Sequence, residues 1–399
     1  MKQIRGAINK KKGLENQLKQ LFLACHRYAG FLAGFIFFAV CLSGSILIFE
    51  DELTPLLYAH EQVVEVGSHR MATDNLVAKA KAVFPQQQLF RMEISSDKDR
   101  SVKFLYGTKK IGYQYAFLNP YTGEVLSKGL WNNRFFPIVL NFHRFLLAGP
   151  IGKTITGLSC LFILFISLSG IYLWWPSSKR VLKQRLKIKT DAKRKRLIWD
   201  IHAVGGFYVC IVLLLITLTG LVWSYTWVNK QLFMLLDGEL ASKEQVIPPT
   251  EEVATNATPY ETIIQAVEAD LPAAGDMILT FPTKKTPAVL VTKRQGDIWP
   301  TRDRIYYDSR SGALLSAQKF ADQSRGTQVR QMIKPLHTGA WLGLSSKLIY
   351  FIAMLFAASL PITGFLIWQG KRKKKPLQKK STNVPQKATF RRKPVLIAD

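Results

Sequence analysis

Four long apolar runs punctuate the chain, at roughly 28–49, 154–175, 203–227 and 348–369. Each is about 22 residues, enough for a helix to cross a hydrocarbon core about 30 Å thick. A helix also satisfies its own backbone hydrogen bonds there. Between the first and second runs, and again between the third and fourth, the pattern shortens. The first interval predicts a helix over 73–84 and strands near 88–95, 101–107 and 112–118, closed by the turn in "NPYTGEVLS". The second predicts a helix with Thr258 as cap, Pro259 at its first position and Glu261 completing a capping box. Strands near 276–282, 287–293 and 303–307 follow, then the turn in "DSRSGALLS". Tyr121-Thr122-Gly123 and Arg310-Ser311-Gly312 hold the same place in the two turns, where glycine tolerates a positive φ. Segment 239–259, with Pro248-Pro249, reads as a linker.

The two halves match in register. "HRYAGFLAGFIFFAVCLSG" resembles "HAVGGFYVCIVLLLITLTG", and Gly44 follows His26 by 18 positions, as Gly220 follows His202. "HRFLLAGPIGK" pairs with "HTGAWLGLSSK": Gly170 follows His143 by 27 positions, as Gly364 follows His337, with Lys153 and Lys347 each ten beyond their histidine. This predicts a unit of span, outer domain and span used twice. Twenty-seven helical residues would be about 40 Å long, longer than the core. The second span must therefore protrude or break, with Gly149-Pro150 as the place.

Charge orients the spans. The net charge is +28, which could point to nucleic acid, but its distribution points elsewhere. Lys and Arg pile up before the first span (Lys2 to Lys19), between the second and third (Lys179 to Arg196) and after the fourth (Lys371 to Arg392). The long intervals 50–146 and 228–336 are nearly balanced. Positive residues mark the cytoplasmic side, so both termini are expected inside and both long intervals outside, with membrane lipid and not nucleic acid as the partner of the basic segments. The N-terminus reads as an uncleaved anchor. Cys25, Cys41, Cys160 and Cys210 lie in or beside spans, without a CxxC pair. The expected order is a basic N-terminus (1–22), a span (23–49), an outer domain (50–142), a span (143–176), a basic loop (177–198), a span (199–228), a second outer domain (229–336), a span (337–370) and a basic tail (371–399).

Six histidines occur, and four of them, His26, His143, His202 and His337, each stand at the start of a different span. The topology pairs His26 with His202 on the cytoplasmic side and His143 with His337 on the outer side. Matched histidines on facing helices suit the two axial positions of a haem iron. Two pairs predict two haems, and with no CxxCH for covalent attachment these would be haem b. Zinc would call for four protein ligands in one place, and a proton relay would not require symmetric pairs. Gly30 and Gly34 share a helix face with His26, and Gly206 shares one with His202. They would leave room for a flat macrocycle, or let helices pack closely. Arg27 and Arg144 each follow a first-half histidine and could meet a haem carboxylate, or reach for the interface. Ala203 and Thr338 stand there in the second half. His60 and His69 receive no role.

These motifs carry a resemblance. "CHRYAGFLAG", "FHRFLLAGPIGK", "DIHAVGGF", "LHTGAWLG", the four Ser/Thr-Gly pairs ending the spans and the two outer turns resemble the PepSY-associated transmembrane family of bacterial inner-membrane proteins, over about 18–370. The resemblance implies a membrane α-helical fold: a four-helix bundle built as two repeats, with two small periplasmic α+β PepSY-like domains. Some members look like ferric-siderophore reductases with two b haems, whose axial ligands map onto His26, His143, His202 and His337. This implies an inner-membrane oxidoreductase that passes electrons to a periplasmic acceptor, a ferric siderophore being the leading candidate. No nicotinamide or flavin fingerprint is present, so the donor is expected to be a quinol or a separate cytoplasmic reductase. The alternative is a non-enzymatic membrane anchor whose PepSY-type domains bind or restrain periplasmic peptidases.

Overall fold

The structure, a computed structural model, describes residues 2–108, 112–176, 178–239, 259–272, 275–283, 286–296 and 301–372, with backbone alone at 2–12, 108, 295 and 371–372. Most of the linker, Thr258 and the tail from 373 lie outside the described residues. The first half runs α1 (Lys2–Leu47), α2 (Glu50–Leu57), α3 (Ala59–Gln62), α4 (Thr73–Val83), β1 (Leu89–Ile94), β2 (Val102–Thr108), β3 (Gly112–Leu118), β4 (Val125–Leu130), α5 (Phe135–Phe145) and α6 (Gly149–Trp174). Two short helices, α7 (Lys179–Arg185) and α8 (Arg194–Asp200), lead through a π-helical turn at Ile201–Gly205 into α9 (Gly206–Ser224) and α10 (Thr226–Asp237). The remainder is α11 (Tyr260–Asp270), β5 (Met277–Thr280), β6 (Ala288–Gln295), β7 (Thr301–Asp308), β8 (Leu314–Gln318), α12 (Arg325–Thr338) and α13 (Leu344–Arg372).

Among the described residues, four stretches are long and apolar enough to cross a membrane: Gly13–Leu47, Gly149–Trp174, Arg194–Ser224 and Leu344–Gly370. A core shared by the first, third and fourth uses small residues, with Cys41, Ala353, Ala357 and Ala358 buried beside Leu213 and Met354. Small side chains let membrane helices approach where no water drives them together.

The strands do not form two separate domains. They make one antiparallel eight-stranded sheet in the order β4-β3-β2-β1-β5-β6-β7-β8. Each half supplies a four-stranded meander, and the two join where β1 pairs with β5, Met92 opposite Leu279 and Glu93 opposite Ile278. The join removes two exposed strand edges, which are otherwise sites of unwanted pairing. Helices α4 and α11 cover one face through Val77, Ala80, Ile263 and Val267, buried against Met92, Phe104 and Val289. Their first turns are exchanged. The Thr73 N–H donates to Glu261 Oε2 at 2.6 Å, and the Tyr260 and Glu261 N–H groups donate to Asp74 at 2.9 and 3.2 Å. Glu261 therefore caps the other half's helix and not its own. Burial opposes its charge, but the bonds from Thr73 and Gln265 outweigh burial and hold the carboxyl below its ordinary value. Pro259 stands just before α11, which begins at Tyr260.

A buried contact in the first half ties the sheet to the bundle. Arg134, at the start of α5, is ion-paired to Glu61 of α3, and both are buried. Its guanidinium lies 3.9 Å from the Tyr58 ring centroid and 4.6 Å from that of Tyr115. In the second half the Asp237 carboxylate accepts from the Gly326 N–H and the Ser324 hydroxyl, both at 2.8 Å, and so caps α12.

Candidate functional site

Three of the four histidines reach their places because of a local break or end. α5 stops at Phe145, and Leu146 and Leu147 take positive φ, 49° and 57°, a costly conformation for such residues. Gly149 adds a third positive φ of 54°. The chain turns so tightly that a Cβ on Gly152 would overlap the Phe145 carbonyl. His143 thus rides on a short helix, separate from the span that follows. In the second half Gly339 and Gly343, also at positive φ, separate α12 from α13. His202 lies within the π-helical turn, an arrangement frequent at functional sites. His26 lies in continuous α-helix.

The fold brings the four together in two pairs. The His26 and His202 rings are 6.4 Å apart between centroids at 86°, and those of His143 and His337 are 6.3 Å apart at 76°. Trp223 stands edge-on to His337 at 4.9 Å. His143 contacts α1 at Ser43, 17 positions beyond His26, so the pairs are separated by about 25 Å along the helix. One pair lies near the sheet and the other near the opposite end.

Every ring is held in the same way, by a residue that the sequence marked without revealing its use. The His26 Nδ1 meets Ser169 Oγ at 3.0 Å, His143 meets Ser43 at 3.1 Å, His202 meets Thr363 at 3.0 Å, and His337 meets Thr219 at 2.9 Å. These hydroxyls are the first members of the four Ser/Thr-Gly pairs. Each donates its one proton to its own helix: Ser169 to the Ile166 carbonyl, Ser43 to Ala39, Thr219 to Leu215 and Thr363 to Ser359. A hydroxyl whose proton is engaged can only accept. The ring must then donate from Nδ1, and Nε2 carries the free lone pair. The carbonyls of Val40 and Ile216, 3.1 Å from the Nδ1 atoms of His143 and His337, require the same tautomer. The glycine of each pair lies against the ring, tightly at Gly44 and Gly364 and at ordinary contact distance at Gly170 and Gly220. An added Cβ would stand 3.0 Å from His143 Cε1 at Gly44, 3.4 Å from His26 at Gly170, 3.5 Å from His337 at Gly220 and 3.2 Å from His202 at Gly364. The constant His-to-Gly spacing was the signal. It reads as a ruler of membrane depth until the contacts show it to be a socket.

The other candidates are placed as follows. An added Cβ at Gly30 would meet no protein atom within 4 Å. Gly34 abuts Pro361 and Gly206 abuts Leu360, both on α13. Arg27 stacks on Tyr28 at 4.9 Å, and Arg144 on Phe145 at 5.0 Å. His60 and His69 are exposed. Lys347 is buried and paired with Glu52 at 2.8 Å. Among the described residues, no cluster of three or more His, Cys, Asp or Glu side chains could hold a metal ion.

Among the described residues, each place therefore offers two imidazoles and no third His, Cys, Asp or Glu ligand. Two metal–nitrogen bonds of about 2 Å each, plus the half-width of each ring, span roughly 6 Å. The centroid separations agree with that. Two protein ligands suit a metal that brings its own in-plane donors, as haem iron does.

No curated protein matches the chain. A family model described as PepSY-associated TM region matches residues 23–371. The chain belongs to this family, and its paired histidines and three of its membrane-length helices fall within the matched region, which also covers the first such helix from residue 23 onward.

Proposed function

We propose that this protein is a membrane oxidoreductase that holds two haem b groups and passes electrons to an acceptor on the sheet side. His26 and His202 would bind one iron, and His143 and His337 the other. The observation that carries the reading is the pair of facing imidazoles, found twice, each with Nδ1 engaged and Nε2 free. Bound haem would supply one-electron chemistry at iron. The chain's own residues do the rest. Ser43, Ser169, Thr219 and Thr363 fix each ring's orientation and tautomer, and as acceptors from Nδ1 they raise the basicity of the ligating nitrogen. Gly30 would leave room beside His26, while Gly34 and Gly206 set the spacing of α1 and α9 against α13. Arg144 is a cation that could meet a haem carboxylate near the sheet.

The matched halves support reading the chain as one unit used twice, each half contributing one ligand to each iron. The basic segments support an orientation with the sheet in the periplasm of a bacterial inner membrane and both termini in the cytoplasm. The acceptor we propose is Fe(III) in a siderophore, which on gaining one electron becomes Fe(II) and is held less tightly. The reading of a peptidase-restraining anchor accounts for the sheet but gives the four histidines no role. The test is to reduce the purified protein with dithionite, remove the reductant, and add a ferric siderophore with a ferrous chelator. Rapid reoxidation with matching Fe(II) capture is expected. Haems that stay reduced, or a His143→Ala chain that transfers as fast as the parent, would contradict it.

A further inference from the structure

At the end of the bundle far from the sheet, beside His26, lies a groove of about 490 Å³ between α1 and α13, lined by Arg27, Tyr28, Phe31, Phe365 and Trp368. Its aromatic walls interlock. Phe31 meets Trp368 at 5.2 Å and Phe365 at 6.4 Å between centroids, and Phe365 meets Trp368 at 5.6 Å. Tyr28 is 59% exposed and Phe365 47%. Both stand on membrane-length helices, so the groove opens toward lipid. The Arg27 guanidinium stacks on Tyr28, and its Nε is buried without a hydrogen-bond partner.

A second groove of similar size, about 480 Å³, flanks α1 on its other side. Cys25, Ala29, Leu32, Leu158, Leu161, Phe162 and Phe165 line it, and none of them is charged. An acyl chain satisfies such a surface. The Arg27 groove differs in having a cation and a phenol among flat aromatic walls. Small-molecule sites have this composition: mostly apolar, with a few convergent polar groups. An arginine inside a membrane span is by default a functional candidate. The matching occupant is flat, arrives from the lipid, and offers oxygen acceptors to a guanidinium.

We propose that this groove binds the headgroup of a membrane quinol, and that the quinol is the electron source for the His26/His202 pair. The redox half rests on the haem reading; the binding half does not. Oxidation of one quinol to the quinone releases two electrons and two protons. Haem held by the two histidine pairs would take up these electrons, one at each pair, and the two protons would pass to water at the basic-loop face. Arg27 donates to a quinol oxygen, and the rings of Phe31, Phe365 and Trp368 hold the headgroup plane. This gives Arg27 a ligand that Ala203, its counterpart in the second half, could not bind.

The test uses the full chain in phosphatidylcholine nanodiscs, titrated with the quinone-site probe 2-heptyl-4-hydroxyquinoline N-oxide and read by quenching of the probe's fluorescence. Saturable binding at one probe per chain is expected. Arg27→Gln should weaken it about tenfold, the scale of one lost charged hydrogen bond, with partial recovery in Arg27→Lys. Trp368→Leu should weaken it as well, and Leu161→Trp in the other groove should not. Menadiol at limiting concentration should reduce the parent faster than the Arg27→Gln chain, while dithionite reduces both alike. Affinity unchanged in Arg27→Gln and Trp368→Leu would overturn the proposal. So would probe release when phosphatidylglycerol replaces half the lipid, which would make Arg27 a phospholipid contact. A chain without haem absorption that binds the probe through Arg27 keeps the groove and removes the haem reading. A chain with two haems and no probe binding does the reverse.

Discussion

A histidine ligand is useful only if one nitrogen is free and the ring is still, and here a hydroxyl one residue before a glycine provides both. The Thr363 hydroxyl accepts from His202 while donating to the Ser359 carbonyl, so Thr363→Ala removes the acceptor but not the helix. Changes to such outer partners typically cost about 10–100-fold in metal affinity. We expect Thr363→Ala and Ser169→Ala each to weaken retention of the far-side haem by about tenfold and to raise its midpoint potential, because a less basic imidazole favours the ferrous state. The sheet-side haem should be unaffected. A redox titration of the two resolved haems checks this, and an unmoved far-side potential would show that the hydroxyls only fill space.

Elements carry the ligands to their depth. The helix α5 that bears His143 is anchored at the residue just before it by the buried Arg134–Glu61 pair. Removing one partner of a buried pair costs about 3–5 kcal/mol, because the other charge is left uncompensated. Glu61→Ala is expected to lower the thermal midpoint and to release the sheet-side haem before the far-side one, followed by haem absorbance during heating. Simultaneous loss of both haems would show that α5 is not held separately. The elements themselves were legible in the sequence where their cause is local. The helix over 73–84 ends within one residue of α4. The glycines of the two outer turns, Gly123 and Gly312, have φ of 71° and 72°. Contacts between distant segments were not legible. Nothing local shows that β1 would pair with β5, or that Glu261 would cap a helix 188 positions away. The hydroxyls that seat the histidines lie between 100 and 161 positions from them, so only the repeated spacing hinted at them.

At the scale of the whole molecule, each half contains its own reciprocal lock. His26 is held by Ser169 while His143 is held by Ser43, and His202 by Thr363 while His337 is held by Thr219. The histidine pairs cross between halves, so bound iron would fasten the two halves together at both ends of the bundle. Direction depends on topology. A reporter active only outside the cytoplasm, fused near residues 125, 188 and 310, should work at the first and last and be silent at 188. Activity at 188 would reverse the orientation. The central claim, two haems on two histidine pairs, is tested most directly by counting haem in the purified chain and in two variants. A pyridine haemochrome assay, with low-temperature EPR of the oxidised protein, should give two low-spin b haems per chain. His202→Ala and His337→Ala should each leave one, and each variant should lose a different EPR signal. A chain with no haem absorption, or either variant keeping both haems, would contradict the account.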